Sequence, residues 1–202
     1  MTRAATRMSQ RERSETTQGK LVAAARELFA TVGYPATALG AVSEKAGVTK
    51  GALYHHYDGK PALFRAVFEA EQRELARTVK AAAEREPDPW DGFYAGCRAF
   101  FEASLEPDVQ RITLLDAPSV LDWSTMREIE GRHGFALMCA GLTEAMRTGR
   151  IGQRPVEPLA RMLHGALCEA AMYVARAEDQ QAANDQVLRE LRRLMRALAD
   201  RG

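Results

Sequence analysis

The chain has 202 residues, 46% of them hydrophobic and 27% charged; it can bury a core without disulfide or metal staples, and it holds no run of about 18 apolar residues that would predict a membrane span. The formal net charge of +1 hides a split, because residues 1–60 hold nine basic and five acidic side chains and the remainder nineteen and twenty-two, a balance that fits a nucleic-acid-binding front joined to a body with another task. Three widely spaced cysteines, Cys97, Cys139 and Cys168, argue against a disulfide framework, and the Arg- and Thr-rich start lacks the apolar stretch of a secretory signal, so a cytoplasmic protein is expected.

Residues 1–16 carry Arg3, Arg7, Arg11 and Arg13 against Glu12 and Glu15 and show no apolar periodicity. They are expected to form a flexible basic arm, either an untethered terminus or an arm that touches phosphates or the minor groove. A first helix is predicted over 17–32, where Leu21, Ala25, Leu28, Phe29 and Val32 make one apolar stripe and Gly33 supplies a stop. A second, over 38–46, puts Leu39, Val42 and Ala46 on one face, with Thr37 as its cap. Gly47 makes the turn and Val48 plugs the space between helices. Thr49 caps a third helix that ends near His56 and turns Leu53 and Tyr57 inward. Residues 17–60 therefore read as a compact three-helix head.

Asp58-Gly59-Lys60-Pro61 is a break with proline in a first helical turn. A body over 61–202 follows. It opens with a long helix over 61–84 bearing Leu63, Val67, Leu75 and Val79, then a loop over 85–89. Trp90 to Leu105 is amphipathic and aromatic-rich. A short helix runs from Pro107 through Leu115, and Pro118 starts another element. One long helix is expected over 124–148, although Gly131, Gly134 and Gly141 interrupt it; glycine costs about 1 kcal/mol in a helix interior, so a kink or a close approach to a neighbour is implied. Two closing helices are predicted over 156–178 and 184–200. In the last, Val187, Leu191, Leu194 and Leu198 form one stripe and Leu188 and Met195 a second; so wide an apolar surface asks for two partners. The fold class expected is all-α: a helix-turn-helix head and a larger helical body, about nine helices in all.

The third helix carries the chemistry. A major groove admits a helix and shows each base pair as a distinct pattern of donors and acceptors. Thr49 and Lys50 would meet the groove first, and Gly51 lets backbone approach closely. Tyr54 offers a ring and a hydroxyl, His55 and His56 can donate to phosphates, and Lys60 can neutralise a phosphate beside the groove. The alternative for Tyr54, His55 and His56 is packing around a small core. The segments Ala30-Thr31-Val32-Gly33-Tyr34-Pro35-Ala36-Thr37 and Ala46-Gly47-Val48-Thr49-Lys50-Gly51-Ala52-Leu53-Tyr54-His55-His56-Tyr57, with Lys60 and Leu63-Phe64, resemble the TetR family of transcriptional regulators. The resemblance covers about a quarter of the chain, residues 17–68. It implies that Thr49, Lys50, Gly51, Tyr54, His55 and His56 face double-stranded DNA, that Lys60 contacts phosphate, and that Thr37 serves the DNA backbone at the start of the second helix. Ala38 and Gly40 depart from the polar or basic residues usual there, so the second helix is expected to contribute fewer contacts.

One short helix reads few base pairs, and two-fold pairing on a near-palindromic operator is the usual remedy. The last two helices are the expected homodimer interface, with Leu159, Leu163, Ala166 and Ala170 meeting Leu191, Leu194 and Leu198; the alternative is that these stripes serve only the chain's own core. The resemblance implies the same location, and also a small-molecule effector pocket in the body. Pocket-grade residues are Trp90, Phe93, Tyr94, Phe100, Phe101, Trp123, Met126, Phe135, Met138, Met162 and Tyr173, with His133, His164, Glu169 and Asp116 as polar groups. Of these Phe101, Trp123, Met126, His133, Met138, His164, Glu169 and Tyr173 are the chosen candidates, each weighed against plain core packing. The Cys and His residues lack zinc spacing, and no Gly-x-Ser-x-Gly, P-loop or His-Glu-x-x-His occurs, so neither a metal, a cofactor nor an enzyme is expected. A ligand-responsive repressor is the reading; an activator or a constitutive DNA-binding protein is the alternative.

Overall fold

The computed structural model describes residues 10–199, and its regular structure is all helix, with no strand among the described residues. Helix α1 spans Gln10–Val32. Residues 10–16, expected in the arm, are therefore helical, while residues 1–9, with Arg3 and Arg7, lie outside the described residues. The reason is propensity: Gln, Arg and Glu favour helix without any apolar stripe to announce it.

Helices α2 (Leu39–Ala46) and α3 (Lys50–His56) complete the head. Its core is tight. Leu21, Ala25, Phe29, Val42, Leu53, Leu63 and Phe64 are wholly buried, and the rings of Phe29, Tyr34 and Phe64 meet pairwise at 5.1–5.7 Å. Val32, placed on the same stripe by spacing, is half exposed. Gly47 sits at φ +63° and closes α2, its N–H donating to Glu44 O and that of Val48 to Ser43 O; a side chain there would be strained, which makes this turn a glycine position. Thr49 caps α3, its hydroxyl oxygen accepting from Ala52 N at 3.1 Å.

The expected cap of α2 is corrected. Ala38 occupies the N-cap and makes no side-chain bond. Thr37 instead donates its hydroxyl to Gly33 O at 2.8 Å and is buried. The preceding turn uses this hydroxyl before the helix starts.

Helix α4 runs Lys60–Ala83. Beyond it come α5 (Pro89–Ser104), α6 (Pro107–Gln110), a π-helical turn (Arg111–Asp116), α7 (Ala117–Val120), α8 (Trp123–Arg132), α9 (Gly134–Arg147), α10 (Val156–Arg176) and α11 (Gln180–Ala199). The single helix expected over 124–148 is thus two, broken at His133. Both outcomes implied by its glycines occur, a break beside Gly134 and a close approach at Gly141, where a Cβ would stand 2.6 Å from Phe93 Cδ2. Asp88 caps α5 by accepting from Trp90 N and Asp91 N at 2.9 and 3.1 Å, and it also pairs with Arg150. The chain divides into two compact units, Met1–Val67 and Phe68–Gly202. The core of the second gathers Phe101, Leu142, Ala160 and Ala171 with Leu163, Leu191 and Met195.

Candidate functional site

In the head, α3 turns Thr49, Lys50, Gly51, Tyr54 and His55 to the surface, with Tyr54 59% exposed. His56 is half-buried, its ring edge-on to that of His55 at 5.2 Å. Leu53 faces the core, so the polar residues of this helix occupy the side that packing leaves free. Lys50 and Tyr54 share a concave notch with Thr37, Ala38, Leu39, Gly40, Ser43 and Lys60. Gly40 shapes it: the Lys50 stem lies across α2 where a longer residue 40 would project, its Cε 3.4 Å from the position of a Cβ.

Two expected members do different work. Thr37 is buried, as described. Lys60 folds back on the head, and its ammonium donates to Tyr34 O (2.8 Å), Thr37 O (3.0 Å) and Pro35 O (3.2 Å) while lying 4.4 Å from the centre of the Tyr34 ring. An ammonium has three protons. All three are engaged, so Lys60 clamps the turn between α1 and α2 and holds no free donor for a phosphate in this arrangement.

In the body, a cavity of about 300 Å3 opens among α4, α5, the π turn, α8, α9 and α10. Its wall is apolar: Leu75, Val79, Phe93, Phe100, Leu137, Met138 and Leu167. Gly92 and Gly96 let α5 lie directly on α4; a Cβ on Gly92 would stand 2.7 Å from Ala83 O. Phe93 stacks on Trp90 at 5.2 Å and presses against Gly141 from the other side.

The polar lining is sparse. Glu130 Oε2 accepts from Arg127 at 2.9 Å, and burial holds the carboxyl above the usual range despite that cation. Arg127 also stands 3.3 Å from His164 Nδ1. Burial, aided by the same guanidinium, pushes His164 down to about 4. Cys168, 3.8 Å from that ring nitrogen, is pushed by burial up to about 12 and stays a thiol. Ser104 Oγ, on the last turn of α5, is buried and has no hydrogen-bond partner, a condition that costs about 1–3 kcal/mol.

Of the eight candidate ligand residues, the structure brings two, Met138 and His164, to the cavity. Phe101 is wholly buried in the core. Trp123 and Tyr173 are 68% and 55% exposed, Glu169 is exposed, and Met126 and His133 lie off the cavity wall. Ser104 and Glu130 were missed by sequence reading; each looks like an ordinary helix-surface residue there. The expected interface residues also separate. Leu163 and Leu191 belong to the chain's own core. Ala166 and Leu194 are exposed, and Leu159, Ala170 and Leu198 are half-buried beside the core. Met162, 73% exposed, and Tyr173 continue the Ala166 face along α10.

A short recognition helix behind a glycine turn, on a head carried by a helical body, defines a helix-turn-helix transcriptional regulator that binds DNA. Two family models match, "Bacterial regulatory proteins, tetR family" over residues 21–67 and "Tetracyclin repressor-like, C-terminal domain" over residues 90–198. The chain belongs to the TetR family. It is 33% identical to a TetR-family transcriptional regulator of Pectobacterium atrosepticum of solved structure, over 96% of this chain and 99% of that one, with a TM-score of 0.84. The regulator TtgR of Pseudomonas putida is 29% identical over 73% of this chain and 72% of its own length. RolR, solved in complex with resorcinol, shares the fold at a TM-score of 0.72 and 20% identity, over 96% of this chain and 97% of its own.

Proposed function

We propose that the protein is a ligand-responsive repressor that binds a near-palindromic operator as a homodimer and leaves it when a small, mostly apolar molecule enters the body cavity. The observation that carries this reading is the double membership of α4. Its first turns supply Lys60, which holds the turn between α1 and α2, and Leu63 and Phe64 of the head core; its later turns supply Leu75 and Val79 of the cavity wall. One covalent element therefore serves both sites. A ligand shifts the DNA-bound population only by binding the released state more tightly.

Operator contact falls to Thr49, Lys50, Gly51, Tyr54, His55 and His56. Thr37 and Lys60 act behind them, by fixing the turn that seats α2. Dimerisation uses the exposed face of α10, Met162, Ala166 and Tyr173, with Leu194 and Leu198 of α11. RolR, of the same fold, holds a small aromatic molecule, which supports an effector of that size here. The test is a thermal-shift screen followed by operator binding in fluorescence anisotropy. Compounds that raise the melting temperature are expected to release the operator. A compound seated in the cavity that leaves operator affinity unchanged, or a monomer in sedimentation at micromolar concentration, overturns the proposal.

A further inference from the structure

The polar groups of the body cavity restrict the ligand more than its apolar wall does. Glu130, His164 and Ser104 all line it. Arg127 takes Glu130 Oε2 at 2.9 Å and leaves Oε1 as an acceptor. A guanidinium can only donate. His164 Nδ1, 3.3 Å from Arg127, is therefore an acceptor, and the neutral ring carries its proton on Nε2. That nitrogen lies 3.7 Å from the Cβ position of Gly134, and both residues belong to the cavity wall. Arg127 thereby fixes both residues of the lining, Glu130 with an acceptor to offer and His164 with a donor. Ser104 Oγ, 1% exposed and without a partner, is a second hydrogen-bonding position that the protein itself leaves unmet.

We infer that the effector is an uncharged, largely apolar molecule bearing a hydroxyl group, which donates to Glu130 Oε1 and accepts from His164 Nε2. Alternatives of other charge fit worse. A carboxylate would face the Glu130 carboxylate, and the nearby cations already have counter-ions: Arg127 pairs with Glu130, and Lys80 of the lining pairs with Glu84. An ammonium ion would gain Glu130 Oε1 but would confront the His164 N–H and the Arg127 guanidinium. An ether or ketone would leave Glu130 without a donor, and burying an unmatched acceptor forfeits affinity. The volume of about 300 Å3 is at the small end of the roughly 300–1,000 Å3 range of small-molecule sites. Ser104 extends the polar track for a molecule long enough to reach it.

This inference rests on the effector reading above, but calorimetry on the protein without DNA tests it separately. The probes are 4-propylphenol, 4-propylanisole and 4-propylbenzoate, which share one apolar body. The phenol is expected to bind roughly tenfold or more tightly than either of the others. His164→Phe should cost the phenol roughly tenfold and the anisole little. Glu130→Gln, which removes the negative charge beside Arg127, should raise benzoate affinity by roughly tenfold and so narrow or abolish the phenol's advantage over it. Equal binding of phenol and anisole, tighter binding of benzoate to the unmodified protein, or no binding of the phenol overturns the hydroxyl assignment; operator release by a compound of another class would then leave the repressor reading intact. The melting temperature of each variant without ligand serves as the folding reference.

Discussion

Lys50 Cε lies 3.4 Å from the point where a Cβ on Gly40 would stand, so the smallest residue of α2 is the seat of the longest side chain of α3. The sequence departure at position 40 is thereby a gain for position 50: the missing side chain leaves room for the Lys50 stem and its ammonium, whose Nζ lies 3.7 Å from the same point. Lys50→Ala is expected to weaken operator binding and to shift sequence preference. Gly40→Ala brings ordinary van der Waals contact with a flexible chain and should raise stability by about 0.5–1 kcal/mol through helix propensity without loss of affinity. Denaturation and anisotropy on a panel of operator variants check both.

Lys60 separates clamp from phosphate contact. Three hydrogen bonds from a charged donor tie the Tyr34–Thr37 turn to the start of α4. Lys60→Ala should lower stability by about 1–3 kcal/mol. The dependence of log affinity on log salt should stay unchanged. A phosphate contact would instead lower that slope by about one. A salt titration with the folded variant decides between them.

The cavity wall depends on two glycines in different ways. Gly92→Ala drives a Cβ into the Ala83 carbonyl, a backbone atom that moves only if α4 and α5 part; a loss of about 1–3 kcal/mol is expected. Gly141→Ala collides with the Phe93 ring, which can swing toward the cavity. The second variant should therefore lose ligand affinity more than stability. Parallel melting and calorimetry on the two variants test the distinction.

His164 makes stability pH-dependent. Its folded value of about 4 lies below the ordinary 6.5, so between these limits the unfolded chain binds more protons. The contribution is full above about pH 6.5 and is lost as pH falls toward 4, by at most about 3 kcal/mol. Glu130, raised by burial, works in the opposite direction, so the informative quantity is the difference from a variant. Urea denaturation at pH 7.5 and 5 should show a smaller acid loss in His164→Phe than in the parent protein. Equal losses would sink the assignment.

What the sequence discloses follows a physical line. Leu53 inward and Tyr54 outward are adjacent on one short helix; spacing turns Leu53 to the core, while Tyr54, open to packing on spacing alone, is placed outward only by the whole motif in register. Thr37 and Lys60 defeat such reading: what a hydroxyl or an ammonium bonds depends on the path of the 33–37 turn, and no periodicity encodes that path. The body is harder still. Phe100 and Phe101 are neighbours of equal character, yet Phe101 fills the core while Phe100 lines the cavity. A cavity is where packing stops, and helical spacing shows which side chains go inward without showing where they fail to meet.

The two closing helices give the sharpest contrast between neighbours. On α10, Met162 is 73% exposed and Leu163 5%, so adjacent substitutions should act on different equilibria. Met162→Arg places a charge on the face shared with Ala166 and Tyr173 and should give a folded monomer with weakened operator binding, since each half-site then binds alone. Leu163→Ala opens a hole among Ala160, Leu167 and Leu191 and should cost about 2–5 kcal/mol of stability, with dimerisation preserved in whatever remains folded. Sedimentation equilibrium and melting on both variants decide the matter. A Met162→Arg protein that stays dimeric would move the interface away from this face.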